Sequence, residues 1–200
     1  LQKPETSIKT LSIFYEKVSI LLSTQDWFGP SISREELEKY FKKYYTIFWN
    51  CFFRFQIPFL TRWKTVFGDL ESWVIWANMG INQSLNLEKI AKKSNKKINF
   101  SGIENKSLYL NIIQSNEPER GINASSIAEI SSIPRATVLR KLRKLLNEKI
   151  IKRNKKLEYV LTNQGKLNKK IKANFLINQK HIALFVTDIF NLIKNSTLKL

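Results

Sequence analysis

Apolar side chains recur along most of this chain at intervals of three and four residues, the spacing of one helix face. Residues 8–22 carry Leu11, Phe14 or Tyr15, Val18 and Leu22 in that rhythm, and Gly29-Pro30 breaks it. Ser33 and Glu36 have the spacing of a capping box, with Ile32 and Leu37 placed as its hydrophobic staple. The helix they start passes through Phe41, Tyr44, Phe48 and Phe52, and Pro58 is expected to kink or end it. A further helix is expected over 61–79 on Trp63, Phe67, Leu70, Trp73 or Val74, and Ala77, with Gly80 as its stop. A short helix on Leu85, Leu87, Ile90 and Ala91 then gives way to a lysine-rich connector.

The second half is patterned more tightly. Leu108, Ile112 and Ile113 mark a helix over 106–115. Asn123 is a good N-cap for a short helix that turns Ile127, Ala128 and Ile130 inward. Ser131 and Ser132 can bond their own backbone and favour a turn. Pro134 suits a first helical position, and Val138, Leu142 and Leu145 form the buried stripe of a helix over 134–147. Its other face carries Arg135, Ala136, Leu139, Arg140 and Arg143. A hairpin over 150–161 follows. Ile150 and Ile151 begin it, Asn154 suits its turn, and Leu157, Tyr159 and Leu161 alternate with Glu158 and Val160. A long helix over 166–194 closes the chain, with Leu167, Ile171, Phe175, Ile182, Val186, Ile189 and Ile193 as its stripe, widened from Ile182 onward by Ala183, Phe185 and Phe190.

Charge changes this picture from a helical protein to a candidate nucleic-acid binder. The 200 residues carry a net charge of +18, and Arg135 to Lys156 hold ten basic residues less one acid, +9, half of the total. Charge that local is an electrostatic footprint. Arginine's planar fork fits two acceptors on guanine and also pairs with phosphate. A helix bearing Arg135, Ala136, Thr137, Leu139, Arg140, Arg143 and Lys144 can therefore read a major groove. Lys152, Arg153, Lys155 and Lys156 on the hairpin can grip the backbone or reach into the minor groove.

The stretch resembles the winged-helix domain of bacterial one-component regulators in the MarR and IclR style. Ile127-Ala128, then Ile133-Pro134-Arg135-Ala136-Thr137-Val138, then Arg140, Leu142 and Leu145 follow that signature, and Leu161-Thr162-Asn163-Gln164-Gly165 is similar to the Leu-Thr-x-x-Gly that closes the wing. The likeness covers 103–166. Ser132 stands where the family often has glycine, and Lys149 stands where glycine ends the recognition helix, unless Asn147 takes that role. The resemblance implies a mainly α fold with a winged helix-turn-helix over 103–165, an N-terminal helical region over 1–100 and a C-terminal helix over 166–200. It also implies sequence-selective binding of double-stranded DNA by a cytoplasmic homodimeric transcriptional regulator, its dimer built by the terminal helices. The alternative is a winged helix that organises a protein partner or coats DNA without sequence preference.

The remaining chemistry is sparse. Five tryptophans, Trp27, Trp49, Trp63, Trp73 and Trp76, crowd the N-terminal half. An aromatic effector pocket is the sharper reading and a packed core is the one we favour. One cysteine, Cys51, and one histidine, His181, give neither a disulfide framework nor a zinc site. There is no glycine-rich phosphate loop and no legible Ser/His/Asp arrangement, so no enzyme, cofactor or metal is expected. Residues 44–60 are the one membrane suspect, but Asn50, Arg54 and Gln56 interrupt them, and a helix buried all round is the expectation. The first residues lack the pattern of a secretory signal, and the chain begins at Leu1 rather than Met.

Overall fold

The computed structural model describes residues 12–13, 15–17, 20, 32–93, 121–162 and 164–197. Bounded among them are α1 (Arg34–Lys43), α2 (Tyr45–Phe67), α3 (Leu70–Lys93), α4 (Ala124–Ser131), α5 (Arg135–Asn147), β1 (Ile151–Arg153), β2 (Tyr159–Leu161) and α6 (Leu167–Thr197). Among the described residues the protein is mainly helical, with one small antiparallel sheet. Trp27 and the helix expected over 106–115 lie outside the described residues. Two compact units divide the chain, one drawn from residues 1–59 and 177–200, the other Leu60–Leu176. Sequence reading set boundaries near 100 and 166, whereas this division falls inside α2 and α6.

The first unit begins with its expected capping box. Ser33 Oγ accepts from the Glu36 amide at 3.3 Å, and a Glu36 carboxylate oxygen accepts from the Ser33 amide at 3.1 Å. The box aims α1 so that Leu37 and Phe41 join Tyr15, Phe48, Phe185, Ile189, Phe190 and Ile193 in one buried cluster. Its rings stack and meet edge-on: Phe41–Phe48 at 4.3 Å, Phe55–Phe185 at 4.9 Å and Tyr15–Phe41 at 5.8 Å. The apolar end of α6 thus finds its partner in the N-terminal helices. Phe185 and Phe190 are buried as expected, while Ile182, 40% exposed, and Ala183 leave the stripe. Pro58 does not end α2. It removes one backbone donor, and Arg54, whose carbonyl loses that partner, lies on the exposed side.

The second unit corrects the expected helix ends. Sequence periodicity ran one helix through Thr61–Met79 and stopped it at Gly80. The chain instead turns at Gly68, whose φ of +83° is left-handed, and restarts at Asp69, whose carboxylate accepts from the Ser72 amide at 2.7 Å. α3 then runs through Gly80 to Lys93. A Cβ on Gly80 would sit 3.6 Å from Leu161 Cδ1, an ordinary contact. Gly80→Ala should therefore gain the helix propensity that glycine forfeits, about 0.5–1 kcal/mol. A raised thermal midpoint checks it, and a lowered one would show that this helix face is closed to a methyl.

Around α3 the rest assembles. Trp63, Phe67, Trp76 and Phe175 pack ring on ring, with Trp63–Phe175 at 5.3 Å and Phe67–Trp76 at 5.4 Å. α3 also packs on α4, α5 and β2. Gln83, buried, accepts from the Leu161 amide through Oε1 at 2.8 Å, and Asn82 Nδ2 donates to the Gly121 carbonyl at 3.2 Å.

β1 and β2 pair antiparallel in the register Ile151–Leu161, Lys152–Val160 and Arg153–Tyr159, and Ile122 bridges Tyr159 from the other side. The expected alternation along β2 does not hold. Tyr159, Val160 and Leu161 are all buried, because β2 is paired on both edges and covered by α3.

Candidate nucleic-acid interface

α4 is built as its sequence requires. The Asn123 side chain accepts from the Ser126 amide at 2.8 Å. Ser131 Oγ donates to the Ile127 carbonyl at 2.6 Å and accepts from the Ile133 amide at 3.3 Å, which closes the turn. Ser132 adopts φ +56°, the left-handed conformation that glycine adopts without strain. Ile127 is fully buried and Ala128 half-buried, as expected, but Ile130 is 62% exposed. It lies one residue before the end of the helix.

Pro134 caps α5 from just outside it, and Val138, Leu142 and Leu145 are buried as the stripe predicts. Ala136, Arg140 and Arg143 are exposed on the opposite side, and Thr137 and Leu139 are half-buried at its margins. Arg135 is exposed at the first turn, where its Nε donates to Ser125 Oγ at 3.2 Å.

Lys144 departs from that face. Its Nζ donates to the Phe67 carbonyl at 2.7 Å and lies 3.6 Å from Asp69. It therefore caps the last turn of α2. Lys141, one turn earlier, is buried and salt-bridges Asp69 at 2.9 Å and Glu71 at 3.2 Å. Burial pushes the Asp69 carboxyl up, but bonds from Lys141 and from the Ser72 amide and hydroxyl, with the Lys141 charge, outweigh it and lower the pKa to about 2. Burial likewise disfavours the Lys141 ammonium, and Asp69 and Glu71 reverse that and raise its pKa. The sequence counts Lys141 only as positive charge and places Lys144 with the groove-reading residues, whereas Lys144 is turned to the Phe67 carbonyl and Asp69. The missed signal was Gly68-Asp69-x-x-Ser72, a helix stop followed by a cap, which places a carboxylate on the inner side of α5.

The far end of α5 closes in a Schellman turn. The Ile150 amide donates to the Leu145 carbonyl at 3.3 Å and the Lys149 amide to that of Leu146 at 2.9 Å. Lys149 is the left-handed residue, at φ +54°, and Asn147 stays helical. Thr162 ties the hairpin to this turn, its hydroxyl donating to the Lys149 carbonyl at 2.7 Å and its amide to the Ile150 carbonyl at 2.9 Å.

The hairpin tip is organised by Asn154. Its Oδ1 accepts from the amides of Lys156 and Glu158, both at 2.9 Å, so Lys155 and Lys156 are carried on a fixed, exposed turn. Leu157, expected to point inward, occupies a left-handed position in this tip and is 70% exposed. Arg153 Nη2 donates to Tyr159 Oη at 2.8 Å and the guanidinium lies 5.0 Å from that ring's centroid, which holds its charge in place. Lys152 is exposed on β1.

Among the described residues no group of three or more His, Cys, Asp or Glu side chains comes together to hold a metal ion. No described helix is long and apolar enough to cross a membrane. Burial and the charge of Asp188 raise the Cys51 thiol, against a smaller opposing effect of Arg54, so it stays protonated at neutral pH. No family model, curated protein or solved structure matches the chain.

Proposed function

We propose that this chain is a sequence-selective double-stranded DNA-binding protein of the winged helix-turn-helix kind, working as a homodimeric transcriptional regulator. α5 is the recognition helix and the hairpin is the wing. One observation carries the reading: α5 buries Val138, Leu142 and Leu145 on one side while Ala136, Arg140 and Arg143 stand exposed on the other, beside a hairpin that holds Arg153, Lys155 and Lys156 outward. A small residue beside arginines lets a helix approach base edges closely, and lysines on a rigid turn fit phosphates. The dimer draws support from exposed apolar side chains on two helices, Ile47, Phe53 and Ile57 on α2 and Leu176, Ile177 and Leu184 on α6. Two copies would place their recognition helices about 34 Å apart, on an inverted repeat.

The test is duplex binding across a range of salt concentrations, with random DNA beside fragments selected from a random pool. A steep salt dependence with a wide gap between selected and random DNA supports the regulator. A steep dependence with no gap leaves an architectural role. Absence of binding at low salt overturns the reading. Within it, Arg140→Ala should weaken selected-site binding by about 1–3 kcal/mol and relax preference at one base position. Unchanged affinity and preference would remove Arg140 from the groove.

A further inference from the structure

Beyond the hairpin the charge does not stop. From Tyr159 to Thr187 the sequence holds no acid and five lysines, Lys166, Lys169, Lys170, Lys172 and Lys180. The first four are exposed, while Asn168, Ile171 and Asn174 on the opposite face of α6 are buried. The start of α6 is fixed in place. Gly165 abuts the backbone of Glu148 and Lys149 so closely that a Cβ on it would meet the Glu148 carbonyl oxygen. The Asn168 amide donates to the Gly165 carbonyl at 3.0 Å, and Asn168 Nδ2 donates to the Thr162 carbonyl at 3.3 Å. Lys166 therefore adjoins Lys149, at the junction of the α5 C-terminus and the base of the hairpin. Lys169 and Lys170 continue the same exposed face one turn on. Lysine at 149 occupies a left-handed position that glycine fits more easily, and it brings a cation to this junction.

The dimensions say what this face meets. α5 has 13 residues, so it is about 20 Å long, while a major groove is about 12 Å wide. A helix lying in the groove through its first turns overhangs the groove at its last, and its end stands over a phosphate rim. We propose that Lys149, Lys166, Lys169 and Lys170 form a second phosphate-binding strip, which grips the DNA backbone at the recognition helix's C-terminal end, apart from the wing. The strip rests on the DNA-binding reading given above. It makes no base contact, so it contributes affinity and salt dependence without sequence preference.

The experiment is the triple variant Lys166→Gln, Lys169→Gln, Lys170→Gln in the full chain, beside the parent and the triple Lys→Arg variant. Binding to selected and random duplexes is titrated over salt by fluorescence anisotropy. All three substituted side chains are exposed, and an unchanged thermal midpoint confirms folding. The glutamine variant should bind both duplexes about tenfold to a hundredfold more weakly, with the log–log salt slope shallower by about 2.7, since each of the three neutralised phosphates contributes about 0.9. The ratio of selected to random affinity should hold, and the arginine variant should restore binding. An unchanged slope in a folded variant, with the parent binding normally, overturns the strip and leaves the DNA reading intact. A loss of sequence preference also overturns it, because a phosphate strip cannot read bases. A parent that binds no duplex at low salt overturns both.

Discussion

Gly165→Ala should destabilise the Leu60–Leu176 unit by about 3–5 kcal/mol, and Gly165→Val should leave it unfolded. An alanine Cβ at this position would come 2.0 Å from the Glu148 carbonyl oxygen, 2.9 Å from Ile150 Cγ2 and 3.1 Å from the Lys149 carbonyl carbon. Two of these three atoms are backbone, so no rotamer change can relieve the contact. Nor can the chain easily move away. The Thr162 hydroxyl and amide hold one side of Gly165 to Lys149 and Ile150, and the Asn168 amide holds the other through the Gly165 carbonyl. Making room means breaking the Schellman turn that ends α5 or lifting the start of α6. Either step loses several hydrogen bonds, each worth about 1 kcal/mol net. The requirement is for close approach, not for a left-handed backbone. Urea denaturation followed by circular dichroism measures the effect. A Gly165→Ala midpoint within about 1 kcal/mol of the parent would mean that this junction is looser than its contacts indicate. Gly80→Ala is the internal control, being a glycine with room for its methyl.

That comparison shows which parts of the fold were legible. The sequence reading treated Gly80 as a helix stop because it stood alone after an apolar stripe. The real stop, Gly68, carried the stronger local signal, a following Asp69 three residues before Ser72. Apart from this stop, where structure is decided by neighbours within four residues the sequence is legible. The Ser33–Glu36 box, the Asn123 cap, the Ser131–Ser132 turn and the Val138, Leu142 and Leu145 stripe all rest on bonds or periodicity inside one helix turn. Where structure is decided by distant contacts, it is not legible. β2 is buried on both faces because Ile122 and α3 reach it from far along the chain, which no alternation within 157–161 can reveal. Ile130 and Leu157 look inward by pattern but stand exposed, Ile130 at the last turn of α4 and Leu157 in the left-handed hairpin tip before β2 begins.

The candidate interface divides in the same way. Arg140, Arg143 and the hairpin lysines follow from helix period and turn chemistry. Lys144 does not, since nothing local distinguishes it from Arg140 one turn before. What separates them is Asp69, 75 positions upstream of Lys144 in the chain and 3.6 Å from it in space. The basic helix therefore has two kinds of cation. Those on the outer face are available to a polyanion. Lys141 and Lys144 are engaged by the α2–α3 turn and fix the helix against the rest of its unit.

Asp69→Ala follows as the second large effect, an expected loss of about 2–4 kcal/mol. Two contributions combine. The carboxylate caps α3 through the Ser72 amide, and an N-cap of this kind is worth about 1 kcal/mol. It is also the nearer partner of Lys141, whose side chain is 9% exposed, and its removal leaves that ammonium with Glu71 alone, itself 50% exposed. Stability should then depend on pH in a defined window. The Asp69 pKa is lowered to about 2 in the folded chain, against about 3.9 unfolded. Its contribution is therefore fully present above pH ~4 and lost as pH falls from ~4 towards ~2. With 31% of the side chain exposed, solvent screening brings that contribution to about 1–2 kcal/mol. Lys141 has the opposite sign. Its raised pKa stabilises the fold below the ordinary lysine range, and that contribution is lost as pH rises beyond it. Asp69→Asn separates the two roles, because asparagine caps a helix nearly as well as aspartate but carries no charge. It should be milder than alanine at pH 7, and it should flatten the stability profile between pH 4 and 2 relative to the parent. Urea unfolding of the three proteins at closely spaced pH values gives the comparison. A parent profile as flat as that of Asp69→Asn across this window would show that the Asp69–Lys141 pair contributes nothing net, leaving the cap as the whole of Asp69's role.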